Sequence, residues 1–136
     1  AIPSVLRKLY PNNCQIVGQY ASLFHSAMGK ACLTQLPADE VQRLAGRNHV
    51  AADEHYRACE QTQHQGFGQR TEGYWEYPVR LPFLIRAVAL PVRANGRLVG
   101  SMALHWPMHQ APVERVLNLH MGSLEQAVCE VQRTLV

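Results

Sequence analysis

Cysteine and histidine are the residues here whose type could do chemistry, and their spacing decides whether they do. The four cysteines, Cys14, Cys32, Cys59 and Cys129, lie far apart and form no C-x-x-C pair. Reduced cytosolic thiols fit this spacing best, with a disulfide scaffold or a zinc site as the weaker alternatives. Seven histidines raise the question of metal. His55 and Cys59 would share one face of a helix, and His105 and His109 are four apart, but Pro107 between the latter pair rules out helical geometry there. No further Asp, Glu or His falls at ligand spacing, so neither a metal nor a cofactor is expected. The chain contains no G-x-S-x-G, no phosphate-cradling glycine loop and no H-E-x-x-H, and nothing argues for catalysis.

The 136 residues suffice for a single domain, 1–136, with a real core. Apolar residues make up 47% and charged residues only 17%, so the chain is globular and much of its surface is neutral or buried against something. The net charge of +3 is spread thinly, with no basic run beyond Arg7-Lys8, which argues against nucleic acid as a direct partner. No apolar stretch is long enough to span a membrane and the N-terminus does not read as a signal peptide, so a cytoplasmic location is expected.

These residues need elements to position them. Gln15 to Tyr20 reads as a short strand after the Pro11-Asn12-Asn13 turn. Ser26 suits the cap of a helix running through Leu33. Gly29 inside that helix costs about 1 kcal/mol relative to Ala, which implies close packing or close approach of a ligand. Pro37, Asp39, Glu40 and Gly46 frame a second helix, and Ala51 to Gln65 with Gly66 as its stop gives a third. Both read as solvated connectors. The stretch 66–82 is irregular and aromatic, with Phe67, Tyr74, Trp75 and Tyr77. Two apolar runs, Leu84 to Val92 and Leu98 to Trp106, flank Asn95-Gly96 and predict a hairpin. After Pro112, apolar residues from Val113 to Leu135 recur at three and four, predicting a long helix to the end. The order gives an α/β (α+β) domain, a sheet covered by helices.

Alternation gives each hairpin strand two sides. On the first, Leu84, Val88, Leu90 and Val92 oppose Ile85, Ala87 and Ala89; on the second, Met102, Leu104 and Trp106 oppose Ser101, Ala103 and His105, and turn length decides how these sides combine. A two-residue Asn95-Gly96 turn would place Ala87 beside Leu104. A three-residue loop would place Ala87 opposite Ala103 and Ala89 opposite Ser101, and this register makes one face large and apolar and the other, with Ala87, Ala89, Ser101, Ala103 and His105, small and partly polar. The small face cannot fill a core alone, so either a helix approaches very closely or a small molecule occupies the space.

The segment Ala21-Ser-Leu-Phe-His-Ser-Ala-Met-Gly-Lys-Ala-Cys-Leu-Thr-Gln-Leu-Pro37, followed by Asp39-Glu40, resembles the effector-binding domain of IclR-type bacterial transcriptional regulators. So do Gln65-Gly66-Phe67-Gly68, Ile85 to Val92, Asn95 to Gly100 and the closing helix, and the resemblance runs from about Val17 to the C-terminus. It is nearest to the branch that activates catabolism of aromatic acids. The resemblance implies a GAF-like domain: a curved, mainly antiparallel sheet flanked by helices, holding a small acid effector. It places Ala27 and Met28 at the helix start whose backbone N–H groups hold the effector carboxylate, consistent with the physics of helix N-termini. Ala87 falls where many members carry a pocket Cys, and Ala103 and His105 where they carry Ser; these departures imply a different ligand or pose. Glu76 is the nearest match to the family's acidic pocket residue, and Trp75 or Tyr77 would cover the ligand.

The expected function is therefore that of a ligand-sensing and oligomerising domain, a homodimer or homotetramer. Its small-molecule acid effector would modulate DNA binding by an N-terminal winged helix-turn-helix that this chain lacks. His105 is expected to hydrogen-bond the effector, in its protonated form when the ligand is acidic, with a backbone-bonded core histidine as the alternative. A small-molecule enzyme and a pairing module without a ligand are the rivals.

Overall fold

The computed structural model describes residues 18–75 and 81–135. Its elements are α1 (Ala27–Leu33), α2 (Ala38–Arg47), α3 (Ala52–Gln65), β1 (Gly68–Gln69), β2 (Ile85–Ala94), β3 (Arg97–Pro107) and α4 (Val113–Thr134). Gly18 to Tyr20 form no strand, and the rest of the expected N-terminal strand lies outside the described residues, as do Glu76 and Tyr77. The helix starts follow local chemistry. The Ser26 hydroxyl oxygen accepts from the Gly29 amide at 2.9 Å, and Gly66 ends α3 at φ 82°.

The three strands form an open antiparallel sheet in the order β1-β2-β3. Neither expected register is the one adopted. The turn has two residues, Asn95 and Gly96, at φ 51° and 74°, the left-handed values a tight hairpin turn requires. Beyond it the ladder slips: Arg93 pairs with Leu98 but Val92 pairs with Gly100, leaving Val99 as the extra residue of a bulge. Ala87 therefore stands opposite His105, Ala89 opposite Ala103 and Pro91 opposite Ser101. The bulge preserves the two faces and moves each partner by two residues from the three-residue-loop alignment.

The large face is the main core. Val88, Leu90, Met102, Leu104 and Trp106 pack against Val116, Leu117, Met121 and Leu124 of α4. The Trp106 indole N–H donates to the Ala111 carbonyl at 2.9 Å. On the small face a helix takes up the space: Ala27 and Ala31 of α1 lie directly on Ala87 and Ala89, all four no more than 1% exposed. Two glycines permit this approach. A Cβ on Gly68 would collide with the Ala27 carbonyl oxygen and stand 2.7 Å from the Ala31 amide, and one on Gly29 would run into the Ser22 carbonyl and the Leu23 backbone. Gly29 thus serves close packing. On the far side of α1, Phe24 and Leu33 pack with Val41 and Ala45 of α2.

Candidate functional site

The chain continues from β1 into Arg70, whose amide donates to the Ala87 carbonyl at 3.0 Å. Strand alternation from Gly68 puts the Arg70 side chain on the small face, where it is 5% exposed. Because residue 87 is alanine, the guanidinium spans β2 at that level. Nη1 donates to the Ile85 carbonyl at 3.2 Å, and Nη2 stands 3.3 Å from Nε2 of His105 on β3. The Trp75 ring lies over the same guanidinium, 5.1 Å from Cζ to the ring centre, a cation–π distance.

A guanidinium can only donate, so Nε2 of His105 accepts and its proton sits on Nδ1. Burial first, and the Arg70 charge second, push the His105 pKa down to about 3. Without a ligand, then, the imidazole is neutral, whereas the sequence reading has it protonated against an acidic ligand; the guanidinium beside it is that of Arg70. Backbone contacts hold the arm that carries it. The Thr71 amide donates to the His25 carbonyl at 2.8 Å, and the His25 and Tyr74 rings stack at 5.2 Å.

The other expected site residues divide by depth. Ala27 and Ala87 are sealed in the helix–sheet contact, where no ligand fits between them. Met28 and Ala103 border that contact and are half-buried, as are His105 and Trp75. Ser101 points at α1, in hydrogen-bond contact with the Cys32 thiol, which burial nevertheless pushes up. The Cys59 thiol is pushed up likewise, so neither is an activated nucleophile. Among the described residues no three His, Cys, Asp or Glu gather as metal ligands, and no described helix is long and apolar enough to cross a membrane.

Two features escaped the sequence. The role of Arg70 is not legible in the sequence, because a two-residue strand leaves no alternation to read. Helix α3, expected to be a plain connector, contributes Gln61 and Gln65 to a cleft of about 620 Å³ along the β1 edge, shared with Lys30, Thr71 and Val113. The Glu72–Arg86 ion pair, at 3.2 Å, lies beside it.

No protein-family model and no curated protein sequence matches the chain. Solved structures do. The C-terminal domain of the Escherichia coli transcriptional regulator KdgR superposes with a TM-score of 0.69 at 18% identity, over 88% of this chain and 74% of that one. The inducer-binding domain of the Acinetobacter transcription factor PobR, a double mutant in complex with 3-hydroxybenzoic acid, gives 0.65 at 13%, over 82% and 66%. An IclR family transcriptional regulator from Brucella abortus gives 0.55 at 21%, over 84% and 43%. The chain spans about half the length of the intact regulators it matches. Its fold is that of the effector-binding domains of bacterial transcriptional regulators, the IclR type among them.

Proposed function

We propose that this domain senses a small carboxylic acid of aromatic character on the small face of its sheet. Its occupancy would control DNA binding by a separate domain of a cytoplasmic regulator that works as a homodimer or homotetramer. The observation that carries the reading is the Arg70 guanidinium, buried on an otherwise small and apolar face, against His105 and beneath Trp75. Arg70 supplies the positive field that attracts the carboxylate. His105 offers its Nδ1 proton to a neutral oxygen of the ligand, and Trp75 covers the ring. Met28, Ser101 and Ala103 form the wall, with the Ala27 and Met28 amides and Glu76 as its remaining candidates. The domain is proposed to bind rather than turn over its ligand: His105 engages Arg70, not a nucleophile.

The alanine-on-alanine contact favours one second reading, a pairing module whose face is already full. Isothermal titration of 3-hydroxybenzoate into the chain and into Arg70→Gln separates the two. Binding by the first protein and loss in the second supports sensing. Heats no larger than dilution for every aromatic and dicarboxylic acid screened leave the pairing module.

A further inference from the structure

Lys30 projects from α1 on the side away from β3 and is only 7% exposed. Among the described residues its ammonium meets no carboxylate and no hydrogen-bond acceptor, and burial lowers its pKa with no opposing charge to restore it. Lysines buried to this degree ordinarily have a partner. Two clefts meet at this side chain. One, of about 420 Å³, opens between α1 and α3 past His25 and Arg57; the other is the cleft of about 620 Å³ along β1. Lys30, Gln61 and Thr71 line both, so residues that carry an ammonium, an amide and a hydroxyl border the place where the two join.

The acids around this junction are engaged elsewhere. Glu54 pairs with His25 at 3.3 Å, Asp53 with Arg57 at 3.5 Å and Glu72 with Arg86 at 3.2 Å. Asp53 and Glu54 line the smaller cleft and Glu72 and Glu114 the larger, so the site excludes a cation only where Lys30, Gln61 and Thr71 face it together. We propose that Lys30, Gln61 and Thr71 form a second ligand site, for a small oxyanion carrying a carboxylate or phosphate group, in the cleft along β1 that Arg70 and Ala87 also line, rather than against His105 and Trp75. A bound oxyanion would give the ammonium the partner it lacks, and the amide N–H and the hydroxyl would complete its coordination.

The test is thermal unfolding of the whole chain in sodium phosphate, sodium acetate and sodium chloride at equal ionic strength, with Lys30→Met, Lys30→Arg and Gln61→Leu alongside. The unsubstituted chain is expected to melt higher in phosphate, acetate or both than in chloride; the responding salt identifies the group. Lys30→Met keeps the length of the side chain without its charge. It is expected to melt higher than the parent in chloride and to lose the anion response. Lys30→Arg keeps the response, and Gln61→Leu weakens the apparent affinity about tenfold. No anion response in the parent, or a response that survives in Lys30→Met, overturns the site. A response that survives there but disappears in Arg70→Gln belongs to the small face and leaves the sensing proposal standing. If Lys30→Met does not fold, an unaltered response in Gln61→Leu overturns the site and a weakened one supports it.

Discussion

Arg70 and His105 meet at 3.3 Å across the whole width of a three-stranded sheet, one at each edge with Ala87 between them. The contact exists because the residue between is the smallest that still forms a strand comfortably; a valine there would fill the path of the guanidinium. It fixes the tautomer of one partner and the position of the other, and it brings a buried guanidinium to a weakly polar face.

The first consequence is a pH dependence of stability. An unfolded histidine takes a proton near 6.5, whereas folded His105 resists until about 3. Between those values unfolding takes up a proton, so acid favours the unfolded chain. The contribution is complete above pH 6.5 and is lost as pH falls toward 3, at about 1.4 kcal/mol per pH unit. Urea unfolding at pH 6.5 and 5 should show about 2 kcal/mol from this group, by the same conversion. His105→Gln keeps an acceptor for Arg70 and should remove that component. An unchanged slope in the variant would show that His105 is protonated in the folded chain.

The second prediction concerns the glycines that let α1 sit on the sheet. Gly68→Ala drives a methyl into the Ala27 carbonyl and toward the Ala31 amide, both backbone groups that cannot step aside. It should cost about 3 kcal/mol, the upper end for overpacking. Gly46→Ala and Gly122→Ala meet nothing within 4 Å on helices α2 and α4, and each should stabilise by up to about 1 kcal/mol. Denaturant midpoints of the three variants check the contrast. A mild Gly68→Ala would mean that α1 is not held against β1 as described.

Much of this frame is legible in the sequence, and the exceptions share a cause. Ser26, Pro37, Gly66 and Pro112 bound the helices because their signals act within a turn of chain. The two sides of each hairpin strand follow from alternation, whereas how they combine depends on the register; the need for something close against Ala87 and Ala89 follows from their volume. What fills that space does not: it is Ala27 and Ala31, brought in by Gly29 and Gly68, glycines whose backbone partners lie distant in the fold. The register was missed because the bulge at Val99 inserts one residue without any residue type that demands it. Arg70 was missed for a similar reason. Its face is set by pairing of Gly68 and Gln69 with Ala89 and Val88, a long-range contact of a strand two residues long.

Assembly is the third prediction. Charged residues make up only 17% of the chain, Val99 on β3 is 56% exposed and Leu119 on α4 is 62% exposed. A neutral surface, with no strand paired to the outer edge of β3 among the described residues, favours self-association. Light scattering at high micromolar concentration should give a dimer or a tetramer. A monomer at that concentration removes pairing from the proposed function.

The last prediction is the effector affinity itself. If the acid binds on the small face, the carboxylate answers to a cation that is charged at every accessible pH, and the neutral imidazole answers to a polar group of the ligand. The two contributions then differ in size. Loss of a hydrogen bond to a charged group costs about 1.5–3 kcal/mol and loss of a neutral one about 0.5–1.5. Arg70→Gln should therefore weaken a responding acid more than tenfold, and His105→Ala by several-fold, with the larger loss for hydroxylated acids. Trp75→Ala should weaken aromatic acids while sparing small aliphatic ones, because the indole gives up ring contact and not charge. Because His105 stays neutral, affinity should be flat between pH 6 and 8, unlike the fall with rising pH that a protonated histidine would impose. Isothermal titration of the three variants at both pH values measures all of these. A steep loss of affinity toward pH 8 with Arg70→Gln unaffected would return the carboxylate to a charged His105 and take it away from Arg70.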